Sequence, residues 1–511
     1  MYRAMTSSEK KLYLDYRNKV CDTEYFNKIK PVLDQIPESN GCKYYNKINK
    51  NIGIVADEFL FNSYKDAANF IYITPQNYKQ YIDKLDLFLV VTTWVGLNGE
   101  WTGIANSTKL RTKLFNIIKE YKNNGITTVF YSKEDPVNYD LFKELALKCE
   151  YIFTTCEEVV SKYIRYSKNK NVDVLKFCIN PMYHNPIGFR MFNGKDKIIF
   201  SGSWYERFRE RRMDMNMILE GVLDSKLDLI IVDRNYEKHI ATIFFPKKYL
   251  PNIVPSISHE YLQKTHKLFD WAINFNSVKD SNTMFANRIY ELQALGNILI
   301  SNYSIGVKNN FPNVFIINQK NEVANIVNEF NDEEIYQYQV QGIRNMMSKE
   351  NAFIRINYLL NKVNIENEIP KRKVLVVCDE INDYMQKIFD SQSYKDKDLI
   401  LESDFNEKIK NNYDIIAFFG SKKYYGMYYL EDMINAFKYT NSKYITRDSF
   451  YSKNNLNKGI EHDYVSIIKD KYKTIFWSSD FEYKQLIELK YNTRIDGGYS
   501  IDHFEFNDSI D

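Results

Sequence analysis

The sequence predicts an α/β protein in which two Rossmann-like domains face a cleft and a smaller C-terminal α/β module follows. Three observations carry this. From Ile52 onward, short apolar runs of strand length alternate with helical stretches, the pattern of a parallel sheet covered by helices. The pattern stops at Asn180 to Gly194, where Pro181 and Pro186 act as breakers, and then begins again. A polar hinge, Asn364 to Lys373 with Pro370, precedes one more apolar run at Val374 to Cys378.

Residues 1–50 are polar and rich in Lys and Tyr, with apolar spacing at Val32, Leu33 and Ile36 that suggests short helices; they read as a helical accessory segment. The first Rossmann-like domain, 51–190, has strands at Ile52 to Ala56, Leu87 to Thr92, Thr127 to Tyr131, Tyr151 to Thr154 and Val174 to Phe177. Helices fit Thr108 to Asn123, stopped by Asn124 and Gly125, and Tyr139 to Lys148. The second domain, 191–365, repeats the scheme. Its strands are Ile198 to Ser201, Leu227 to Val232, Ala272 to Phe275, Asn297 to Ser301 and Val314 to Ile316, with a helix at Arg211 to Leu223. The module at 372–511 starts with Val374 to Cys378.

Length and composition agree with this division. At 511 residues the chain exceeds one compact core and suggests about three units. Its 41 Tyr and 33 Phe argue for folding throughout. Lys+Arg 69 against Asp+Glu 66 leaves a formal charge of +3, too small over this length to imply a nucleic-acid partner, and none is expected. Cys21, Cys42, Cys149, Cys156, Cys178 and Cys378 show no CxxC spacing and read as reduced, mostly buried thiols. Met1 to Lys11 lacks the apolar core of a secretory signal. The longest apolar runs, such as Leu87 to Val91, fall well short of the roughly 20 residues that cross a bilayer. The expected location is the cytoplasm, with any membrane contact peripheral and at the inner face.

The segment from Asn274 to Ser301 carries the most chemistry. It reads as strand, polar loop, helix, glycine stop, strand. Asp280 or Ser281 would cap the helix, and Gly296 would take the left-handed position past its end. A helix N-terminus at the carboxyl edge of a sheet suits a diphosphate, with Lys279 and Arg288 adding charge and Glu291 accepting from ribose hydroxyls.

Glu291-Leu-Gln-Ala-Leu-Gly296 followed by an apolar strand resembles the donor-binding segment of GT-B glycosyltransferases, most of all the CgeB-like (spore maturation) group. The resemblance implies that Glu291 binds the ribose of a nucleotide sugar. Many retaining members carry another Glu eight positions earlier; here that place is Thr283. Phe200-Ser-Gly-Ser-Trp-Tyr-Glu-Arg-Phe-Arg-Glu-Arg-Arg212, with Ile230-Ile-Val-Asp-Arg234, is similar to the family's first donor-domain loop. Gly202 and Ser203 would bring backbone N–H groups to a phosphate, and Arg207 or Arg211 would reach the same anion.

Thr127 to Asp140 and Tyr151 to Thr155 resemble the same group. Glu134 and Asp135 directly follow a strand, which puts them at the carboxyl edge facing the cleft. Residues 1 to 183 contain no histidine, so a first-domain base for an acceptor hydroxyl would be a carboxylate, with Asp135 leading and Asp57 or Glu134 behind it. Trp94 and Trp101 flank a loop after another strand, where their indoles would either stack on acceptor sugars or pack in the core.

Ala417 to Leu430 resembles a segment of GT-A (family 2-like) enzymes of teichoic-acid and capsule assembly, in which an aspartate run precedes paired tyrosines. Gly420, Ser421, Lys422 and Lys423 stand in those places, so no cation ligands are evident and the module reads as degenerate. Lys422 and Lys423 would either bind an anionic polymer or be solvated. Together the resemblances imply a metal-independent glycosyltransferase that moves a sugar from a nucleotide diphosphate, taken as a UDP-sugar, to a hydroxyl of a cell-surface glycan or teichoic-acid-type acceptor. No other cofactor is expected, and a homo-oligomer is left open. The alternatives are a binding or scaffolding protein without turnover, and a glycosyltransferase acting on protein or nucleic acid.

Overall fold

A computed structural model describes residues 5–106, 108–192, 194, 196–453 and 455–509. The first four residues of the segment read for a signal, Arg3 among them, lie outside the described ones. No described helix is long and apolar enough to cross a membrane. All six cysteines are free, five of them buried.

The first sheet contains β1 (Ile48–Val55), β2 (Ala68–Tyr72), β3 (Leu87–Val91), β4 (Thr127–Ser132), β5 (Tyr151–Thr154) and β6 (Val172–Val174) in the order β2-β1-β3-β4-β5-β6. Every pair is parallel. All five residues of β3 are buried, as an uninterrupted apolar run in a sheet covered on both faces requires. The expected strands at Leu87, Thr127 and Tyr151 form. β1 begins at Ile48, inside the stretch read as an accessory segment. β2 escapes a periodicity argument because Ala68-Asn-Phe-Ile-Tyr72 neither alternates nor forms a long apolar run. β6 ends at Val174, where a strand through Phe177 was expected.

The second sheet contains β7 (Lys197–Gly202), β8 (Asp228–Asp233), β9 (Ile253–Val254), β10 (Trp271–Asn274), β11 (Ile298–Asn302) and β12 (Phe315–Ile317). Its order is β12-β11-β10-β7-β8-β9, again parallel throughout. Numbered within the sheet, this is the 3-2-1-4-5-6 order of a Rossmann fold. The fold class read from the sequence therefore holds: two parallel Rossmann-like sheets and a further C-terminal α/β region.

Helices α1 (Ser7–Val20), α2 (Tyr25–Leu33), α3 (Glu58–Tyr64), α4 (Lys109–Asn123), α5 (Tyr139–Ala146) and α6 (Val160–Ser167) precede or cover the first sheet. α7 (Arg209–Leu223), α8 (His259–His266) and α9 (Arg288–Ala294) belong to the second. Thr108 caps α4 by accepting from Arg111 N, and Gly125 follows with φ +77°, which matches the expected start and stop. α1 docks on the second sheet although it comes first in the chain. Tyr13 OH donates to the Phe245 carbonyl, and Arg17 to that of Tyr236.

After the second sheet the helix Asp332–Lys349 leads to Ala352–Lys362, which returns to the first unit through an Ile179–Asn351 bridge and an Arg355 bond to the Phe177 carbonyl. The C-terminal region holds a mixed seven-stranded sheet built around Val374–Cys378. Arg344 of the helix 332–349 grips Asp432 with two bonds, at 2.6 and 2.7 Å, and Arg447 pairs with Asp502 at 2.5 Å. The buried Arg344–Asp432 pair thus fastens this region to the second unit, while Arg447–Asp502 lies within the region itself.

Candidate functional site

β7 and β10 are adjacent although not consecutive, and their connections leave toward opposite sides of the sheet. That is the switch point of a doubly wound sheet, where a crevice opens beyond the carboxyl ends of the strands. Ser201 to Tyr205 closes one side of it. The loop after β10 and then α9 form the other.

Three arginines meet on the first of these segments. Arg288 donates to the Ser201 carbonyl. Arg211 donates to the Ser203 carbonyl at 3.1 Å, and Arg234 to the Tyr205 hydroxyl at 3.2 Å. Arg288 also feels the pull of the Glu291 carboxylate one turn along its helix. Burial lowers the guanidinium groups of Arg288 and Arg211 to about 10, opposed by Glu291 at Arg288 and by Tyr205 at Arg211 and aided by repulsion from neighbouring arginines, so both stay cationic at neutral pH. Burial pushes the Tyr205 phenol up, but Arg234 and hydrogen bonds from Ser203 and Asn235 override it and its pKa falls. Like charges held together lose stability unless an anion shares them, and guanidinium forks match phosphate oxygens.

Glu291 lies one turn along α9 from Arg288. Its Oε1 accepts from Asn287 Nδ2 at 2.7 Å and lies 3.7 Å from His184 Nε2. Burial raises its pKa, against the pull of Arg288 and Asn287. Gly296 follows the helix with φ +95°, and a Cβ there would meet the Phe189 ring at 2.7 Å, so the expected glycine stop is required twice over.

The expected helix N-terminus at Asp280 or Ser281 is corrected: α9 starts at Arg288. Ser281 Oγ instead accepts from Met284 N at 3.0 Å, and Asn276 Oδ1 accepts from Ala286 N at 3.0 Å. Side-chain bonds of this kind compete with the helical ladder and keep the segment a loop. Ser281 and Thr283 also face the first unit. Ser281 donates to Glu158, and Thr283 Oγ1 accepts from Glu157 N at 2.9 Å. Lys279 pairs with Asp214 of α7 at 2.8 Å. The expected donor residues therefore divide. Gly202, Ser203, Arg211 and Arg288 gather at the Ser201–Tyr205 segment, with Glu291 one turn along α9 from Arg288, while Lys279, Ser281 and Thr283 are engaged with other partners.

Gly202 is required locally, because a Cβ there would meet the Phe200 ring at 2.5 Å. Ser203 Oγ accepts from Asn235 Nδ2 at 2.9 Å. Arg207 is exposed and lies over the Phe208 ring.

On the first sheet the three carboxylates have different surroundings. Asp57 accepts from the N–H groups of Trp94, Val95 and Gly96 at 3.0–3.1 Å and so fastens the loop after β3. Asp135 is 0% exposed, with Thr154 Oγ1 donating at 2.7 Å and Tyr163 OH at 3.3 Å. Burial pushes its carboxyl up to about 6. The expectation that Asp135 faces the cleft is thereby corrected: its carboxyl is buried against Thr154 of β5 and Tyr163 of α6. Glu134 stays partly open, bonded to Lys133 Nζ at 2.6 Å and to Trp94 Nε1 at 3.1 Å. Trp94 is 39% exposed. Trp101 is fully buried, its Nε1 donating to the Ile73 carbonyl at 2.9 Å, which corrects its reading as a sugar platform in favour of core packing.

In the C-terminal region Ser421 bonds to Asp379, and Lys423 pairs with Asp470 at 3.4 Å and with Asp508. Lys422 is exposed. Sequence reasoning gave no role to Arg234, Tyr205, His184 or His259. A signal was present: the chain has only six histidines, and His259 and His266 both carry the imprint of Arg288. Burial first, and Arg288 second, lowers them to about 4 and about 3.

No protein-family model matches the chain, and no curated protein matches it. Solved structures do. The crystal structure of TarM aligns at 14% identity over 57% of this chain, with a TM-score of 0.38, and the alignment spans 58% of the TarM chain. An alpha-glucosyltransferase in complex with UDP and a 13-mer DNA containing a HMU base aligns at 9% identity over 62% of this chain and 100% of that one, TM-score 0.43. T4 phage BGT in complex with its UDP-glucose substrate aligns at 12% identity over 61% and 99%, TM-score 0.39.

Proposed function

We propose that this chain is a glycosyltransferase whose nucleotide-diphosphate sugar binds at the β7/β10 switch point. The observation that carries the reading is the set of three arginines, Arg211, Arg234 and Arg288, gathered on Ser201 to Tyr205, with the pull of the Glu291 carboxylate felt by Arg288. In sugar transfer the bond from the anomeric carbon to the diphosphate oxygen breaks, and its electron pair leaves with the diphosphate. Three preplaced cations stabilise that developing charge. Glu291 is the proposed acceptor for ribose hydroxyls, and a UDP-sugar is the proposed donor.

The acceptor is proposed as a hydroxyl of a surface glycan or teichoic-acid-type polymer, met in the cytoplasm at the inner face of the membrane. Among the three first-sheet carboxylates, Glu134 is the proposed base, because its side chain is 24% exposed and stands beside the exposed Trp94. The exposed Lys422 is the proposed contact for an anionic polymer.

A second reading, nucleotide-sugar binding without turnover, draws support from Thr283, which stands where the resemblance has a Glu and accepts from Glu157 N. Calorimetric titration of the full chain with UDP-, GDP-, CDP- and TDP-sugars tests the shared part. A ligand that binds the native state at a hundred times its Kd raises stability by about 2.7 kcal/mol. Binding without release of free diphosphonucleotide favours the second reading; no binding by any nucleotide sinks both.

A further inference from the structure

His184, the first histidine of the chain, lies in the crossover between the two parallel sheets and is 0% exposed. Its Nδ1 accepts from the Asn180 backbone N–H at 3.2 Å. A backbone amide only donates, so Nδ1 is the bare nitrogen and Nε2 carries the ring proton. Nε2–H is then the sole donor of the imidazole, and among the described residues it has no hydrogen-bond partner. Buried donors are paired as a rule. The carboxylate beside it is Glu291, with Oε1 at 3.7 Å.

Neutrality of the ring follows from its surroundings. Burial comes first, and His259, Lys267 and Lys65 all disfavour a second positive charge, so the pKa falls well below the usual imidazole value. The ring therefore acts as a fixed dipole and not as a counter-ion. Glu291 Oε1 accepts from Asn287 and lies 3.7 Å from this donor; among the described residues Oε2 has neither contact. Hydrogen bonds at a binding site often stand long in the free protein and tighten when ligand arrives.

We infer that His184 is a positioning residue for the nucleotide site: its Nε2–H steadies Glu291 Oε1, turns Oε2 toward the ribose hydroxyls, and so makes the site select ribonucleotides over deoxyribonucleotides. The inference rests on the donor-site reading above. It adds a residue outside the resembling segment, and it couples the crossover between the two units to recognition of the sugar ring of the nucleotide.

The test is calorimetry on the full chain with UDP and 2′-deoxy-UDP, for the wild type, His184→Phe and His184→Gln. The wild type is expected to prefer UDP by roughly tenfold, the worth of one hydrogen bond to a charged group. His184→Phe removes the donor, so UDP weakens by roughly tenfold while 2′-deoxy-UDP stays unchanged. His184→Gln restores an N–H at the place of Nε2, and the preference returns. A residue that only shapes the crossover would weaken both nucleotides together.

An undiminished preference in His184→Phe overturns the inference. Equal binding of both nucleotides by the wild type also overturns it but leaves the diphosphate site standing; failure of both to bind removes the donor-site reading as well. Should His184→Phe not fold, nitrogen-15 NMR of the wild-type imidazole decides: a proton on Nε2 that shifts on UDP binding supports the inference, and a proton on Nδ1 overturns it.

Discussion

The Ser281 hydroxyl donates to the Glu158 carboxylate across the seam between the two parallel sheets. Thr283 and Asn282 extend the contact to Glu157 and Glu158. A serine expected at the diphosphate and a threonine at the altered sugar-contact position are thus committed to holding the two units together. Glu158→Ala is expected to cost about 1–2 kcal/mol of stability in urea denaturation, with hydrogen exchange faster in residues 277–287. UDP affinity should change by less than about threefold. A loss of affinity as large as that from Arg288→Ala would make Ser281 a ligand group after all.

Arg288→Ala separates binding from folding. It removes one of three clustered cations, so UDP affinity should fall by about 10- to 100-fold, the value of a charge-assisted hydrogen bond. The melting temperature should fall only modestly, because relief of repulsion from Arg211 and Arg234 offsets part of what is lost with the Ser201 carbonyl bond and the pull of Glu291. Unchanged titrations with a lowered melting point would make the arginine structural.

Asp135 gives the chain a pH signature. Burial raises its folded pKa from 3.8 to about 6, so between these values the native state holds a proton that the unfolded chain has lost. Stability from this group is therefore full below about pH 4 and declines as pH rises through about 6, by about 3 kcal/mol at most. Asp135→Asn keeps an acceptor for Thr154 and Tyr163. It should flatten that decline in denaturation measured from pH 4 to 7 and leave transfer activity intact. A steeper decline, or lost transfer at full stability, would return Asp135 to the catalytic role.

The two tryptophans should part company. Trp101→Ala empties a fully buried site and strands the Ile73 carbonyl, and is expected to cost about 3–5 kcal/mol. Trp94→Ala should cost little in stability, since the indole is 39% exposed. If Trp94 meets the acceptor, its loss raises the KM for acceptor while donor affinity holds. Equal stability losses would undo the distinction.

The parallel sheets were legible because β3, β4, β7, β10 and β11 are apolar runs of strand length between helical periods, and that pattern has few solutions. Glu291 and Gly296 were legible for the same local reason, as a helix face and its stop. β9, two residues long, carries no period to read. The start of α9 was misplaced because Ser281 has the chemistry of a cap, and the same hydroxyl equally serves a turn and a partner from another unit.

By itself the sequence determined the alternation of strand and helix, the break near Pro181 and Pro186, and the helix that bears Arg288 and Glu291, since these depend on residues close together in the chain. Tertiary structure alone decided which cations meet. Arg211 of α7, Arg234 just past β8 and Arg288 of α9 lie far apart in the chain and converge because β8, β7 and β10 are neighbours in the sheet. It also decided that Trp101 is core and Trp94 is surface, that α1 serves the second sheet, and that His184 faces Glu291. Each of those is a contact between distant parts of the chain, which no local spacing specifies.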